Sequence, residues 1–216
     1  MYGDWKEYLR FLFGKCLYAH YTTVENAGSF ALERDGDTLY VLFEKSNGAA
    51  DWENNLDFGA VLHSNSSAEI LAPYKDMEEK WYCHGGFLRV LKSILPYIEG
   101  YLLDLRYRRI ICVGYSHGAA IALLCHEYIW YNRKDLIDSV EGYGFGCPRV
   151  IYGHVMRESE RWDSFFVVRN LDDVVTHLPP AILGYRHVGK IINIGKWGKY
   201  SRIDAHRSEN YLRELE

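Results

Sequence analysis

Hydrophobic positions recur at helical spacing in two long stretches of the first half of the chain. Apolar side chains fall three or four positions apart in residues 4–20 and again in residues 86–104, and each stretch predicts an amphipathic helix. Between them, two short runs rich in apolar residues, 29–34 and 38–45, flank an Asp-Gly dipeptide. An Asp-Gly turn between such runs is typical of an antiparallel β-hairpin.

From residue 86 onward, helical stretches alternate with short apolar runs. The run 109–114 is mainly apolar and β-branched, which suits a strand buried on both faces of a parallel sheet. A helical pattern follows in residues 116–131, and another ends the chain in residues 205–216. Further strand candidates are residues 140–145, 165–169 and 190–194. This alternation predicts a single α/β domain over residues 1–216, with a mostly parallel central sheet flanked by helices and an antiparallel N-terminal hairpin.

Composition and charge agree with a globular protein and exclude several other classes. The 216 residues are 48% hydrophobic and 25% charged, a balance that excludes a disordered or coiled-coil chain. The net charge is −4, and the tightest basic cluster, residues 106–109, is interpreted as a solvated turn, so no nucleic-acid partner is expected. No stretch approaches the roughly 18 uncharged apolar residues that a transmembrane helix needs.

The five cysteines indicate a reducing compartment. Their number is odd, no pair has Cys-x-x-Cys spacing, and Cys112 and Cys125 lie in apolar runs where a free thiol packs as a small hydrophobic group. Charges interrupt every apolar stretch near the N-terminus, so no secretory leader is predicted and a cytoplasmic location is expected, with export by another route left open. The spacing of His, Cys and Asp residues predicts no metal site, and no cofactor is expected.

The strongest chemical signal is the pentapeptide Gly114-Tyr115-Ser116-His117-Gly118. A G-x-S-x-G sequence between an apolar strand and an Ala- and Leu-rich helix is typical of a sharp turn that exposes a nucleophilic serine. The residues two before and two after the serine must be very small, because strand and helix converge there. The alternative is a glycine-rich turn with an idle serine. In the nucleophile architecture, the backbone N–H of the residue after the serine is one oxyanion donor.

Five separated segments resemble, in order, the class 3 or fungal-type lipases of the α/β-hydrolase fold. The resemblance covers about residues 25–213, nearly the whole chain. The segments are FEKS (43–46) with DWENNL (51–56), HGGF (84–87), GYSHG (114–118), FGCPRV (145–150) and NLDDVVTHLPP (170–180). The resemblance implies an α/β-hydrolase fold and a serine hydrolase that cleaves carboxylic esters.

The same resemblance implies a catalytic triad around Ser116. In the family the acid stands five residues before Leu-Pro-Pro, which indicates Asp173, with the neighbouring Asp172 as the alternative. The base follows the acid along the chain in α/β hydrolases. His206, in a loop before the last helix, is the preferred candidate, and His187 is the alternative.

The family's oxyanion hole implies two backbone donors, one from His117 and one from Ser46. Here the chain departs from the family pattern, because Glu44-Lys45 precedes Ser46 where relatives have Arg-Gly. A missing glycine changes the backbone conformations that are open to this segment. Since the loss of one oxyanion donor lowers the rate by about 10²–10³-fold, the departure predicts weaker catalysis.

The segment after Ser46, residues 47–58, matches the family's lid and is rather polar and acidic. A lid made for oil has a broad apolar face, so the expected activity is that of an esterase or weak lipase on acylglycerol- or lipid-like esters. The partners expected are therefore a small ester or lipid substrate and, transiently, a lipid surface. Two alternatives stay open: a weak or inactive binding protein on a hydrolase scaffold, and another acyl hydrolase such as a phospholipase or thioesterase.

Overall fold

The computed structural model describes residues 4–24, 28–45, 82–136, 138–153 and 160–216. Two predicted features, Ser46 and the lid-like segment 47–58, lie outside these residues. The helices, in chain order, are α1 (Trp5–Tyr18), α2 (Gly85–Leu102), α3 (His117–Asn132) and α4 (Ser208–Glu214). The strands are β1 (Thr22–Val24), β2 (Gly28–Asp35), β3 (Thr38–Phe43), β4 (Tyr82–Cys83), β5 (Arg109–Tyr115), β6 (Val140–Phe145), β7 (Ile151–Tyr152), β8 (Phe165–Asn170), β9 (Tyr185–Arg186) and β10 (Lys190–Ile194).

Seven strands form the central sheet in the order β1-β2-β3-β5-β6-β8-β10. The first three pair antiparallel, and the remaining neighbours pair parallel from β3 to β10. The structure confirms the predicted mostly parallel central sheet with an antiparallel N-terminal hairpin. A second small sheet, β4-β7-β9, is built from two-residue strands that are too short to show a hydrophobic period.

The middle of the central sheet is buried on both faces, as the apolar run at β5 predicts. Ile110 and Cys112 of β5 face the core that contains the apolar side chains of α2 and α3. Ile111, Val113 and Tyr115 face the opposite core, to which α1 and α4 contribute. This alternation follows from the two-residue period of a strand. It directs the side chain of Tyr115 toward α1 and α4.

The largest difference from the predicted elements lies at the C-terminal end. The sequence predicts one helix over residues 205–216, whereas the structure has a 3-10 turn, Asp204–His206, followed by α4. The turn is held by hydrogen bonds from side chains distant in sequence, which a local pattern does not reveal. Among the helices of the described residues, none combines the length and hydrophobicity needed to span a bilayer.

Candidate active site

Ser116 lies at the sharp turn between β5 and α3. Its backbone has φ 57° and ψ −122°, and it is the one non-glycine residue with positive φ among the described residues. Such a conformation costs about 1–3 kcal/mol and persists only where the surroundings impose it. A Cβ added at Gly114 would lie 2.1 Å from the carbonyl oxygen of Gly118, and one added at Gly118 would lie 2.3 Å from that of Phe43. The two glycines are therefore required by the close approach of strand and helix.

His206 links Ser116 to Asp173. Its Nε2 lies 2.8 Å from the Oγ of Ser116, and its Nδ1 lies 2.8 Å from the Oδ2 of Asp173. Since a carboxylate can only accept, Nδ1 carries the proton and Nε2 is left to accept from the serine hydroxyl. The tautomer that a general base needs is thus the one that the structure favours.

The carboxylate of Asp173 is fully buried and accepts three hydrogen bonds. Its Oδ1 accepts from the backbone N–H of Val175 at 2.8 Å, and its Oδ2 accepts from the hydroxyl of Tyr211 at 2.6 Å in addition to His206. A buried carboxylate with several donors is held in one orientation. The neighbouring Asp172 instead accepts from the backbone N–H groups of Gly198, Lys199 and Tyr200.

The structure therefore brings together Ser116, Asp173 and His206, and it places the alternatives elsewhere. The Nε2 of His187 lies 2.6 Å from the backbone oxygen of Thr176. Burial, with smaller effects of neighbouring groups, lowers the pKa of His187 to about 4. His187 is thus a neutral, half-buried histidine at pH 7, as expected for a structural role. The catalytic role of the triad residues stays a prediction that kinetics must test.

One predicted oxyanion donor, His117, is described, and the other, Ser46, is not. His117 begins α3 directly after Ser116, and its ring packs edge-on against Phe87 at 5.4 Å between centroids. Burial, and next the charge of His84, lowers the pKa of the His117 imidazole to about 4, so the ring is neutral at pH 7. Its contribution to an oxyanion would therefore come from the backbone N–H rather than from a charged side chain.

The chain leading to Ser46 passes directly beside the nucleophile turn. The carbonyl oxygens of Phe43 and Glu44 would lie 2.3 and 2.6 Å from a Cβ added at Gly118. Burial raises the pKa of the Cys16 thiol to about 12, and the half-buried Glu44 carboxylate adds a smaller upward effect. The Cys16 thiol of α1 lies 3.5 Å from the backbone oxygen of Phe43, the residue before Glu44. The approach of β3 to the turn is therefore described up to Lys45, and the role of Ser46 stays a prediction.

Three residues contact the triad in ways that the sequence analysis did not predict. Gly146, within the predicted FGCPRV segment, has φ 58°, and a Cβ there would lie 2.9 Å from the Cε1 of His206. Tyr115 donates to the backbone oxygen of His206, and Tyr211 donates to Asp173. Tyr115 occupies a variable position of the pentapeptide, and Tyr211 lies in a helix. Their spacing in the sequence offers no signal of either contact.

Comparison with known proteins identifies the family. The sequence model of one family, Lipase (class 3), matches residues 40–183. A lipase of Rhizomucor miehei is 26% identical over 162 residues, covering 71% of this chain and 40% of that protein. "Phospholipase A1-II 5" of Oryza sativa subsp. japonica is 29% identical over 112 residues, covering 46% of this chain and 24% of that protein. The chain thus spans less than half the length of these curated relatives.

Solved structures show the same fold. The triacylglyceride lipase of Rhizomucor miehei has a TM-score of 0.65 at 22% identity, covering 82% of this chain and 66% of that chain. A mono- and diacylglycerol lipase from Aspergillus oryzae has a TM-score of 0.57 at 19% identity, covering 83% and 64%. At such identities the likeness shows the fold alone. Because the sequence model of the family matches more than half of the residues, the chain belongs to the class 3 lipase family.

Proposed function

We propose that the protein is a serine hydrolase that cleaves carboxylic esters of acylglycerol- or lipid-like substrates. The observation that carries this proposal is the hydrogen-bonded series from Ser116 through His206 to Asp173. The base lies within hydrogen-bond reach of both the nucleophile and the orienting acid, which is the geometry that nucleophilic catalysis requires. Family membership supports the same reaction class.

The reaction begins when the Nε2 of His206 takes the proton of Ser116 as its Oγ attacks the ester carbonyl carbon. Asp173 holds the imidazole in place and stabilises its protonated form. The tetrahedral oxyanion accepts hydrogen bonds from the backbone N–H groups of His117 and Ser46. His206 then gives its proton to the departing alcohol, and an acyl-enzyme remains. Water, activated by His206, releases the carboxylic acid and restores Ser116 without any cofactor.

The substrate class rests on the family and on the composition of residues 47–58. This segment contains Asp51, Glu53 and Asp57, and its polarity favours an esterase or weak lipase over an enzyme that requires an oil surface. One relative is named as a phospholipase A1, so a phospholipid is the second candidate substrate. The cytoplasmic location inferred from the sequence stays a prediction, which fractionation of cells that make the protein would test.

The decisive experiment is hydrolysis of p-nitrophenyl butyrate by the wild type and by Ser116→Ala. We expect the variant to lose activity by about 10³-fold or more, because the nucleophile is gone. Ser93→Ala is the matched control, since the hydroxyl of Ser93 donates to the carbonyl oxygen of Val90 in α2, and it should keep full activity. A folded wild type with no turnover and no labelling by a fluorophosphonate would overturn the proposal in favour of a binding protein.

A second assay separates the candidate substrates. Tributyrin, longer triglycerides and phosphatidylcholine vesicles are compared below and above the concentration at which each aggregates. We expect steady hydrolysis of the soluble short-chain ester, with no abrupt rise once droplets form. A sharp rise at the solubility limit would contradict the esterase assignment, and preferred cleavage of phosphatidylcholine would favour the phospholipase.

A further inference from the structure

The turn that carries His206 is held by its backbone carbonyl groups. Three consecutive carbonyl oxygens, those of Asp204, Ala205 and His206, each accept a hydrogen bond from a side chain. Asn210 of α4 donates to Asp204 at 2.7 Å, and Asn170 at the end of β8 donates to Ala205 at 3.0 Å. The hydroxyl of Tyr115, at the end of β5, donates to His206 itself. Three different elements therefore fix one short turn.

Tyr115 makes a second contact with the same residue. Its ring stacks on the imidazole of His206, with 5.3 Å between centroids and 28° between planes. Tyr115 also directly precedes Ser116 in the chain. The dipeptide Tyr115-Ser116 thus holds His206 at two points, the hydroxyl of Tyr115 at the backbone oxygen and the Oγ of Ser116 at Nε2.

The position of Tyr115 is itself well determined. The side chain is only 4% exposed and packs edge-on against Phe13 of α1 at 5.3 Å and against Tyr211 at 5.9 Å. Burial, and next the carboxylate of Asp173, raises the pKa of Tyr115 well above its ordinary value, so its hydroxyl stays a donor. Because Tyr115 is the last residue of β5, its hydrogen bond to His206 keeps the histidine at a set distance from the end of that strand, where Ser116 begins the turn.

We propose that Tyr115, together with Asn170 and Asn210, forms a set of positioning residues that sets the location of His206 relative to Ser116. The proposal deepens the proposed function and rests on it. Small errors in the position of a base lower the rate of proton transfer, because the reacting atoms must lie at hydrogen-bond distance. Tyr115 is the foremost member, since it alone of the three contacts both the backbone and the ring of His206.

The first test is Tyr115→Phe, which keeps the stacked ring and removes the hydroxyl. We expect kcat to fall about fivefold to tenfold, as for the loss of one hydrogen bond, with KM nearly unchanged. The acid limb of the kcat/KM profile should move to lower pH, because a loosened turn weakens the hydrogen bond from His206 to Asp173. Tyr115→Leu removes the ring as well, so a larger fall in kcat is expected, with Phe restoring part of it.

Tyr128→Phe is the matched control. Tyr128 is a buried tyrosine of α3 whose hydroxyl donates to Glu99, so the variant loses an equivalent bond away from the triad. It should keep the wild-type kcat and pH profile even if its melting temperature falls. An unchanged kcat and pH profile in Tyr115→Phe would overturn the proposal, as would equal changes in Tyr128→Phe.

A second readout does not depend on hydrolysis. The Nδ1 proton that His206 donates to Asp173 gives a strongly downfield NMR signal, and its exchange with water reports how firmly the turn is held. We expect faster exchange in Tyr115→Phe, and wild-type exchange there would overturn the inference. If the wild type cleaves no ester, the proposed function fails while this measurement still decides the role of Tyr115. Should Tyr115→Phe not fold, Asn210→Ala tests the same set, with a smaller acceleration expected.

Discussion

The two ends of the candidate triad are held by different means. Ser116 is positioned by its own backbone, in a strained conformation between Gly114 and Gly118, two residues away on either side. His206 lies in a short turn that depends on hydrogen bonds from residues up to about 90 positions away. The nucleophile is thus a local feature of the chain, whereas the base is a product of tertiary structure.

This difference predicts different responses to mutation. A backbone turn that admits no Cβ is disrupted as a whole, because no side-chain rotation can relieve a clash between backbone atoms. A turn held by several side-chain donors is weakened one hydrogen bond at a time. Each ordinary hydrogen bond contributes about 0.5–1.5 kcal/mol to its stability. Asp173 is the exception on the histidine side, since it alone contacts the Nδ1 of His206 with a charge.

The largest effect is expected for Asp173→Asn. Asn presents an NH₂ or a neutral oxygen where three donors now point, so His206 loses the tautomer that makes Nε2 an acceptor. We expect kcat to fall by about 10³–10⁴-fold in the p-nitrophenyl ester assay. Asp172→Asn is the neighbouring control, and its activity should stay within about twofold of wild type, because that carboxylate binds backbone N–H groups at 198–200. Equal losses in both variants would contradict the assignment of Asp173.

Gly118→Ala is expected to disrupt the backbone turn that positions Ser116. The added Cβ would lie 2.3 Å from the carbonyl oxygen of Phe43, so the backbone of β3 or α3 must shift. We expect loss of activity by about 10²-fold or more and a fall in the free energy of unfolding of about 1–3 kcal/mol. Gly100→Ala, in α2, has no atom within 4 Å of the new Cβ and should raise stability by about 0.5–1 kcal/mol. Normal kinetics in Gly118→Ala would show that the turn tolerates a side chain.

The smallest of these effects is expected for Tyr211→Phe. This variant tests whether the loss of one hydrogen bond near His206 lowers activity only in part. The change removes the bond to Asp173 and leaves the backbone N–H of Asn170 without its acceptor. We expect about a tenfold fall in kcat and a loss of about 1–2 kcal/mol in urea unfolding. Tyr143→Phe, which removes a hydroxyl that donates to Glu141 at 2.7 Å, controls for stability loss without effect on kcat. A fall in kcat as large as that of Asp173→Asn would show that the hydrogen bonds around His206 do not contribute to activity one at a time.

Much of the fold could be predicted because its signals are local. The period of apolar residues predicted α1, α2, α3 and the central strands other than β1, with differences of a few residues at the ends. The short strands β1, β4, β7 and β9 were not predicted, since a strand of two or three residues shows no clear period. The turn at Asp204–His206 was predicted as part of a helix, because its three side-chain donors come from other elements.

The residues of the candidate site divide in the same way. Ser116 could be proposed from a pentapeptide, because the requirement for small residues beside a sharp turn is visible in the sequence. Asp173 and His206 needed a family resemblance, with Asp172 and His187 left open. Only the structure places His206 between Ser116 and Asp173, within hydrogen-bond distance of both. Tyr115 and Tyr211 had no signal, since a hydroxyl contact depends on where another element lies.

By itself, the sequence determined the order of the helices and of the longer strands, the burial of β5 on both faces of the sheet and the sharp turn at Ser116. These properties depend on side-chain periodicity and on backbone conformations within a few residues, which are written into adjacent positions. Only the tertiary structure decided which aspartate and which histidine meet the serine, and which tyrosines hold them. Those contacts join residues 30 to 90 positions apart, and their geometry exists only after β5, β8 and α4 have packed together.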